Sequence, residues 1–185
     1  MRPTVILVLF LLSGIVPALA TEAGWAALRE GGKVVLLRHA DALGTGDPAN
    51  FELEDCSTQR NLSDRGRQQA RRIGALFAAR AAPVERVLSS RYCRALETAR
   101  LAFGDQLLEP FPALDVLSTD PETEAEQIET VIERIRQYSG TGNLVMVTHP
   151  SNMAALTGIS PRGAEAFIVA LQEDRLTVIA RIIFN

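Results

Sequence analysis

The sequence predicts an α/β protein, a three-layer α/β/α sandwich on a mostly parallel sheet that ends in an antiparallel C-terminal hairpin. Two observations carry this. Short apolar runs at 34–37 ("VVLL"), 84–90 ("VERVLSS") and 143–149 ("NLVMVTH") alternate with stretches of helical periodicity. Two further runs, "AFIVAL" and "RLTVIARIIF", are joined by the polar turn Gln172-Glu173-Asp174 and read as the closing hairpin.

The elements follow in chain order. Residues 1–20, "MRPTVILVLFLLSGIVPALA", carry Arg2, an apolar stretch from Val5 to Val16, and Ala18-Leu19-Ala20 as a small-residue cleavage signal. That is the pattern of a secretory signal peptide cleaved after Ala20. An uncleaved anchor is the alternative, but the stretch is short for a span of ~20 residues and Pro17 interrupts it. Residues 21–185 then form a single domain. Trp25, Ala27 and Leu28 indicate a short helix stopped by Gly31-Gly32. Residues 41–61, with Gly, Pro, Asn and Asp and little periodicity, form a long loop, a feature that in compact domains is usually either functional or disordered. Ser63 caps a helix whose apolar face is Ala70, Ile73 and Phe77. "YCRALETARLAFG" is a helix closed by Gly104, and 107–118 is irregular with a short strand at its start. Asp120 and Pro121 open another helix, with Ile128, Val131, Ile132 and Ile135 as its buried stripe.

Composition narrows the functional classes. The net charge is −3 with 5% aromatic residues, and the basic residues are scattered, which speaks against nucleic-acid binding. No segment after the leader is long and apolar enough to span a membrane. Export implies an oxidising compartment, where Cys56 and Cys93 are expected to form a disulfide; two separate thiols are the alternative.

The chain's two histidines, His39 and His149, each stand directly after an apolar strand. In open α/β sheets ligands gather beyond the carboxyl ends of the strands, so both imidazoles point to one crevice. Arg38 precedes His39, and Arg94 opens the helix after the second strand, at the same sheet edge. Guanidinium groups suit phosphate oxygens because they present several donors in a rigid plane without losing charge. Two guanidiniums and two imidazoles therefore make a pocket for a dianion. They make a poor cation site, so a metal protein built on His39 and His149 is disfavoured.

Four segments resemble the histidine phosphatase superfamily, the phosphoglycerate mutase-like fold. They are "LLRHADA", "RNLSDRGRQQARRIG", "VLSSRYCRALETARLAFG" and "VMVTHPSNMAALTG", in the family's order and spread over most of the residues after the leader. The resemblance implies that His39 is the nucleophile and carries the phosphoryl group as a phosphohistidine. It implies that Arg38, Arg94 and His149 hold the phosphoryl oxygens, with no metal or cofactor required. His39 must attack as neutral imidazole, so its second ring nitrogen should donate to a carbonyl.

A proton donor for the leaving group is the open component. One branch of the superfamily places an acid directly after the second histidine; here that position is Pro150. Asp41 and Glu165 are the candidates named for the role, with Glu109, Asp115, Asp120, Glu122 and Glu124 in the region where the other branch supplies a glutamate. Arg60 and Asn152 are candidates for the mouth of the pocket. A Cys56–Cys93 bridge would tie the 41–61 loop to the arginine-bearing helix. The expected activity is that of a secreted or periplasmic phosphomonoesterase acting on a phosphorylated small molecule or glycan. Two alternatives stand beside it: a protein-phosphohistidine phosphatase, to which "RHADA" is similar, and a phosphate-binding module without turnover. The sequence leaves the oligomeric state open.

Overall fold

A computed structural model describes residues 16–173 and 175–184, so the first fifteen positions of the expected leader, together with Asp174 and Asn185, lie outside the described residues. The helices are α1 (Val16–Glu30), α2 (Asp64–Ala79), α3 (Cys93–Phe103), α4 (Pro121–Arg136) and α5 (Pro150–Thr157). The strands are β1 (Val34–Arg38), β2 (Val84–Ser89), β3 (Leu108–Pro110), β4 (Asn143–Thr148), β5 (Glu165–Gln172) and β6 (Arg175–Ile183). They form one sheet in the order β3-β2-β4-β1-β5-β6. β3, β2, β4 and β1 run parallel, and β5 and β6 add antiparallel at the β1 edge. No described helix is long and apolar enough to cross a membrane.

Side-chain alternation in the strands divides the core in two. From β1, Val35 and Leu37 face α1, α2 and α3, packing with Trp25, Leu28, Ile73, Phe77 and Ala99. Val34 and Leu36 face α4 and α5, packing with Val131, Ile135, Met153 and Leu156. The central strands are therefore apolar on both faces because both are covered, which is why their sequences read as unbroken runs. On the first face Trp25, Phe77 and Phe184 meet edge-on or stacked, with ring centroids 5.4–6.4 Å apart.

The helix starts obey their local chemistry. Ser63 Oγ accepts the Gly66 amide at the head of α2, and Asp120 accepts the Thr123 amide at the head of α4, with Pro121 in its first turn. Gly66 and Gly74 are packing glycines: a Cβ would strike the Asp41 carbonyl at the first and the Ala102 carbonyl at the second. Those contacts set α2 against the 41–61 loop and against α3. α5 is the one α-helix that no sequence expectation covered. It has eight residues, starts at Pro150 directly after His149, and buries only Asn152, Met153 and Leu156, too short a pattern to show periodicity.

The long loop has internal order. It carries a 3-10 turn at Cys56–Thr58, and Gln59 donates to the Glu52 and Leu53 carbonyls while its Oε1 accepts the Cys93 amide at 2.9 Å. Cys56 and Cys93 form a disulfide that spans 37 positions, so the loop is fastened covalently to the head of α3. Reduction should lower stability by about 2–4 kcal/mol, read as a shift in the urea midpoint with and without reductant. An unchanged midpoint, or two thiols titrating in the native protein, would contradict this.

Candidate functional site

Parallel pairing of β1 with β4 places Arg38 opposite Thr148, and the His39 amide continues the ladder by donating to the Thr148 carbonyl at 3.0 Å. The next residues on the two strands, His39 and His149, are thus brought side by side, with ring centroids 5.4 Å apart and both 2% exposed. β2 is the other neighbour of β4, so the turn after it, Ser90 to Tyr92, and the first residues of α3 reach the same edge. All four residues singled out for the anion pocket meet at this edge.

The ring of His39 is oriented by its own backbone. Nδ1–H donates to the Ala40 carbonyl at 2.8 Å, which leaves the lone pair on Nε2. Burial, and then the Arg94, Arg38 and Arg60 charges, push the imidazole pKa down to about 3 against a partial offset from that hydrogen bond. His39 is a neutral base whose Nε2 has no hydrogen-bond partner among the described residues.

His149 is held differently. Ser90 Oγ donates to Asp115 Oδ1 at 3.0 Å, so its contact with His149 Nε2 at 2.8 Å must be donated by the imidazole. Nδ1 is then the lone-pair nitrogen, and it too lacks a partner. Burial first, then the charges of His39, Arg94 and Arg60, hold this imidazole well below the ordinary histidine range. Tyr92 packs edge-on against the same ring at 4.9 Å.

Three guanidiniums complete the site. Arg94 is buried, lies 4.6 Å over the Tyr92 ring, and donates from one terminal nitrogen to Asp47 at 2.9 Å. Arg38 reaches the Pro161 carbonyl at 3.5 Å. Arg60, expected at the mouth, turns inward: one terminal nitrogen donates to the Gly44 carbonyl at 3.0 Å, and its charge is felt by both imidazoles and by Arg38 and Arg94. The Nε atoms of Arg38, Arg60 and Arg94 are buried without partners. Together with His39 Nε2 and His149 Nδ1 they are the buried side-chain atoms lacking a hydrogen bond among the described residues. An unmade buried hydrogen bond costs about 1–3 kcal/mol, so the cluster marks a place shaped for an external partner: the guanidinium N–H groups call for acceptors, and the two ring nitrogens offer lone pairs.

The two carboxylates expected as proton donors are committed elsewhere. Asp41 is exposed and accepts the Ser63 hydroxyl at 2.6 Å, at the head of α2. Glu165 is fully buried and accepts from Arg181 at 2.7 and 3.0 Å and from the Arg162 amide at 2.7 Å. Among the other candidates Glu109 faces Arg134, Asp120 caps α4, and Glu122 and Glu124 sit in its first turn. Asp115 alone of these reaches the site, through Ser90, but Arg91 takes both its oxygens, with the backbone amide at 2.7 Å and Nε at 2.8 Å. Asp115 is therefore an orienting carboxylate behind His149. Asn152 is buried and donates to the Asp115 carbonyl at 2.7 Å, so it supports the 112–118 segment and does not line the mouth.

Sequence reasoning missed Asp47. Its Oδ1 accepts both the Arg94 side chain and the Arg60 amide, at 2.9 and 3.0 Å. "GDPAN" shows only a turn, because Asp before Pro is common turn chemistry and the partner arginine is far along the chain.

Residues 34–118 match the family model described as histidine phosphatase superfamily (branch 1). No curated protein matches the chain. Among solved structures, it is similar to the alpha-ribazole phosphatase of Shigella flexneri, with TM-score 0.61, 17% identity, and coverage of 83% of this chain and 96% of that one. It is also similar to the protein histidine phosphatase SixA complexed with tungstate (TM-score 0.55, 20% identity, 82% and 96% covered). A third is the phosphoserine phosphatase of Entamoeba histolytica in complex with 3-phosphoglyceric acid (TM-score 0.57, 14% identity, 79% and 94% covered). These likenesses establish a shared fold.

The site predicts two measurements. Because the folded pKa of His39 lies near 3 and the unfolded value near 6.5, the unfolded chain binds more protons between them. Stability should be at its full value above about pH 6.5 and fall as pH drops toward 3. In the anion-free protein, the His39 ring signals in an NMR titration should stay constant from about pH 8 to 5. A midpoint near 6.5 would contradict the buried neutral assignment. Second, Asp47→Asn removes the charge that competes for Arg94. It should tighten inorganic phosphate binding by about three- to tenfold in calorimetry, and unchanged or weaker binding would contradict the competition.

Proposed function

We propose that the chain, whose residues 34–118 match the histidine phosphatase superfamily model, is a metal-independent phosphomonoesterase working through a phosphohistidine on His39. The observation that carries this is the set of buried nitrogens without partners: one lone pair on His39 Nε2 surrounded by groups suited to phosphoryl oxygens.

The steps follow from the atoms. Arg38, Arg60 and Arg94 draw the phosphoryl oxygens in, and a proton on the phosphoryl group can pass to His149 Nδ1, turning that nitrogen into a donor. The Asp115 carboxylate, linked through Ser90, faces the resulting imidazolium. His39 Nε2 attacks phosphorus, the bond to the ester oxygen breaks, and its electron pair leaves on that oxygen, which takes a proton from solvent. Water then attacks phosphorus, and the phosphorus–nitrogen bond breaks. Inorganic phosphate departs, and His39 recovers its lone pair with the water's proton released to solvent. Three guanidiniums supply the positive charge that a divalent ion supplies in other phosphoryl transfers.

We place this activity outside the cytosol, in the periplasm or secreted, on a phosphorylated sugar or envelope component. The leader-like residues 1–20 and the Cys56–Cys93 bridge support that location. The engagement of Asp41 and Glu165 elsewhere favours a second reading, in which the leaving group departs with little help from an acid, as the imidazole of a phosphohistidine protein does.

Purified protein should hydrolyse p-nitrophenyl phosphate with chelator present. His39→Ala should lower kcat by about 10³-fold or more, and acid quench after short exposure to labelled substrate should trap a phosphoenzyme in wild type only. Turnover surviving that substitution sinks the nucleophile assignment. Phosphate binding with no turnover and no phosphoenzyme would establish a binding module instead.

A further inference from the structure

Beside the anion pocket lies a cavity of about 500 Å³, in the size range of a small-ligand site. Its walls come from three places: the 41–61 loop, the turn before α3, and the 112–130 region leading into α4. Tyr92 is shared. It lines this cavity while touching His149 edge-on and lying under Arg94, so one ring separates the two spaces. Asp115 is shared in the same way through Ser90.

The cavity has two unlike sides. Phe51 stacks on Tyr92 at 5.0 Å and, with Leu53 and Val116, gives an apolar floor. Thr123, Gln127 and Thr130 give a polar side, on which the threonine hydroxyls, donating to Asp120 and to the Glu126 carbonyl, present acceptors and the Gln127 amide, whose oxygen accepts from Ser118, presents its N–H groups. Its charge is unlike that of the neighbouring anion pocket. The cation on its wall, Arg91, is bound through Nε and a terminal nitrogen to Asp115 at 2.8 and 2.7 Å, while Glu126 adds an exposed carboxylate. A second anionic group on a ligand would meet no free cation there.

We infer that this cavity is the leaving-group subsite, and that it selects phosphomonoesters whose alcohol is an uncharged ring with an apolar face and a polar edge. It discriminates against esters that carry a further carboxylate or phosphate. The inference rests on the phosphatase reading for the position of the phosphoryl group, and adds which side chains receive the rest of the substrate.

Calorimetry with non-hydrolysable phosphonates tests it without turnover. Benzylphosphonate should bind about tenfold or more tighter than methylphosphonate, and 4-carboxybenzylphosphonate should lose most of that gain. Thr130→Trp, on the exposed face of α4, should fill the cavity and remove the ring's advantage while methylphosphonate binds as before. Glu126→Lys should recover about fivefold or more for the carboxylated ligand alone. Equal affinity for the methyl and benzyl compounds, or a ring advantage that survives Thr130→Trp, overturns the subsite and leaves the anion pocket standing. No binding of methylphosphonate at all removes the anion pocket and the subsite together.

Discussion

Five paired positions, from Val34 opposite Leu144 to Arg38 opposite Thr148, hold β1 and β4 in parallel register, and the chemistry at the sheet edge depends on that pairing. A slip of one residue would turn each strand over, putting Arg38 where His39 stands and sending apolar side chains to the wrong face. The register is protected because both strands are buried on both sides, each face filled by a different set of helices. Packing energy spread over the whole core thus fixes the separation of two imidazoles at one end of it.

That arrangement also explains the electrostatics. Burial keeps both imidazoles neutral, and the surrounding guanidiniums push in the same direction, so positive charge sits on the arginines while the basic lone pairs remain on the histidines. The division puts positive charge and basic lone pairs in one pocket, which is what the proposed reaction needs. Burial draws the Arg94 guanidinium down too, and Asp47 opposes that shift as the nearest counter-charge.

What could be read from residues alone follows a physical line. His39, His149, Arg38 and Arg94 were legible because strand ends and a helix start fix their positions through local patterns. The cap residues Ser63 and Asp120 were legible for the same reason. The supporting polar network was not. Asp47 finds Arg94 across 47 positions and Ser90 finds His149 across 59, through loops whose path no periodicity reveals. Glu165 misled for the converse reason: next to the strand tips in sequence logic, it is neutralised by Arg181 on the adjoining strand, a partner visible only once β5 and β6 pair. The disulfide was legible as a pairing and as a tie from the loop to the arginine-bearing helix, whereas the Gln59 contact with the Cys93 amide that reinforces it was not.

The contact between Asp47 and Arg94 has a kinetic meaning. On the proposed reading, a carboxylate fastened to the loop and facing Arg94 would act as a tethered rival to the phosphate product. As phosphate loosened, that carboxylate would be on hand to close the gap, so the contact that weakens capture would also hasten release. Such a contact would trade tight retention for a quick exit.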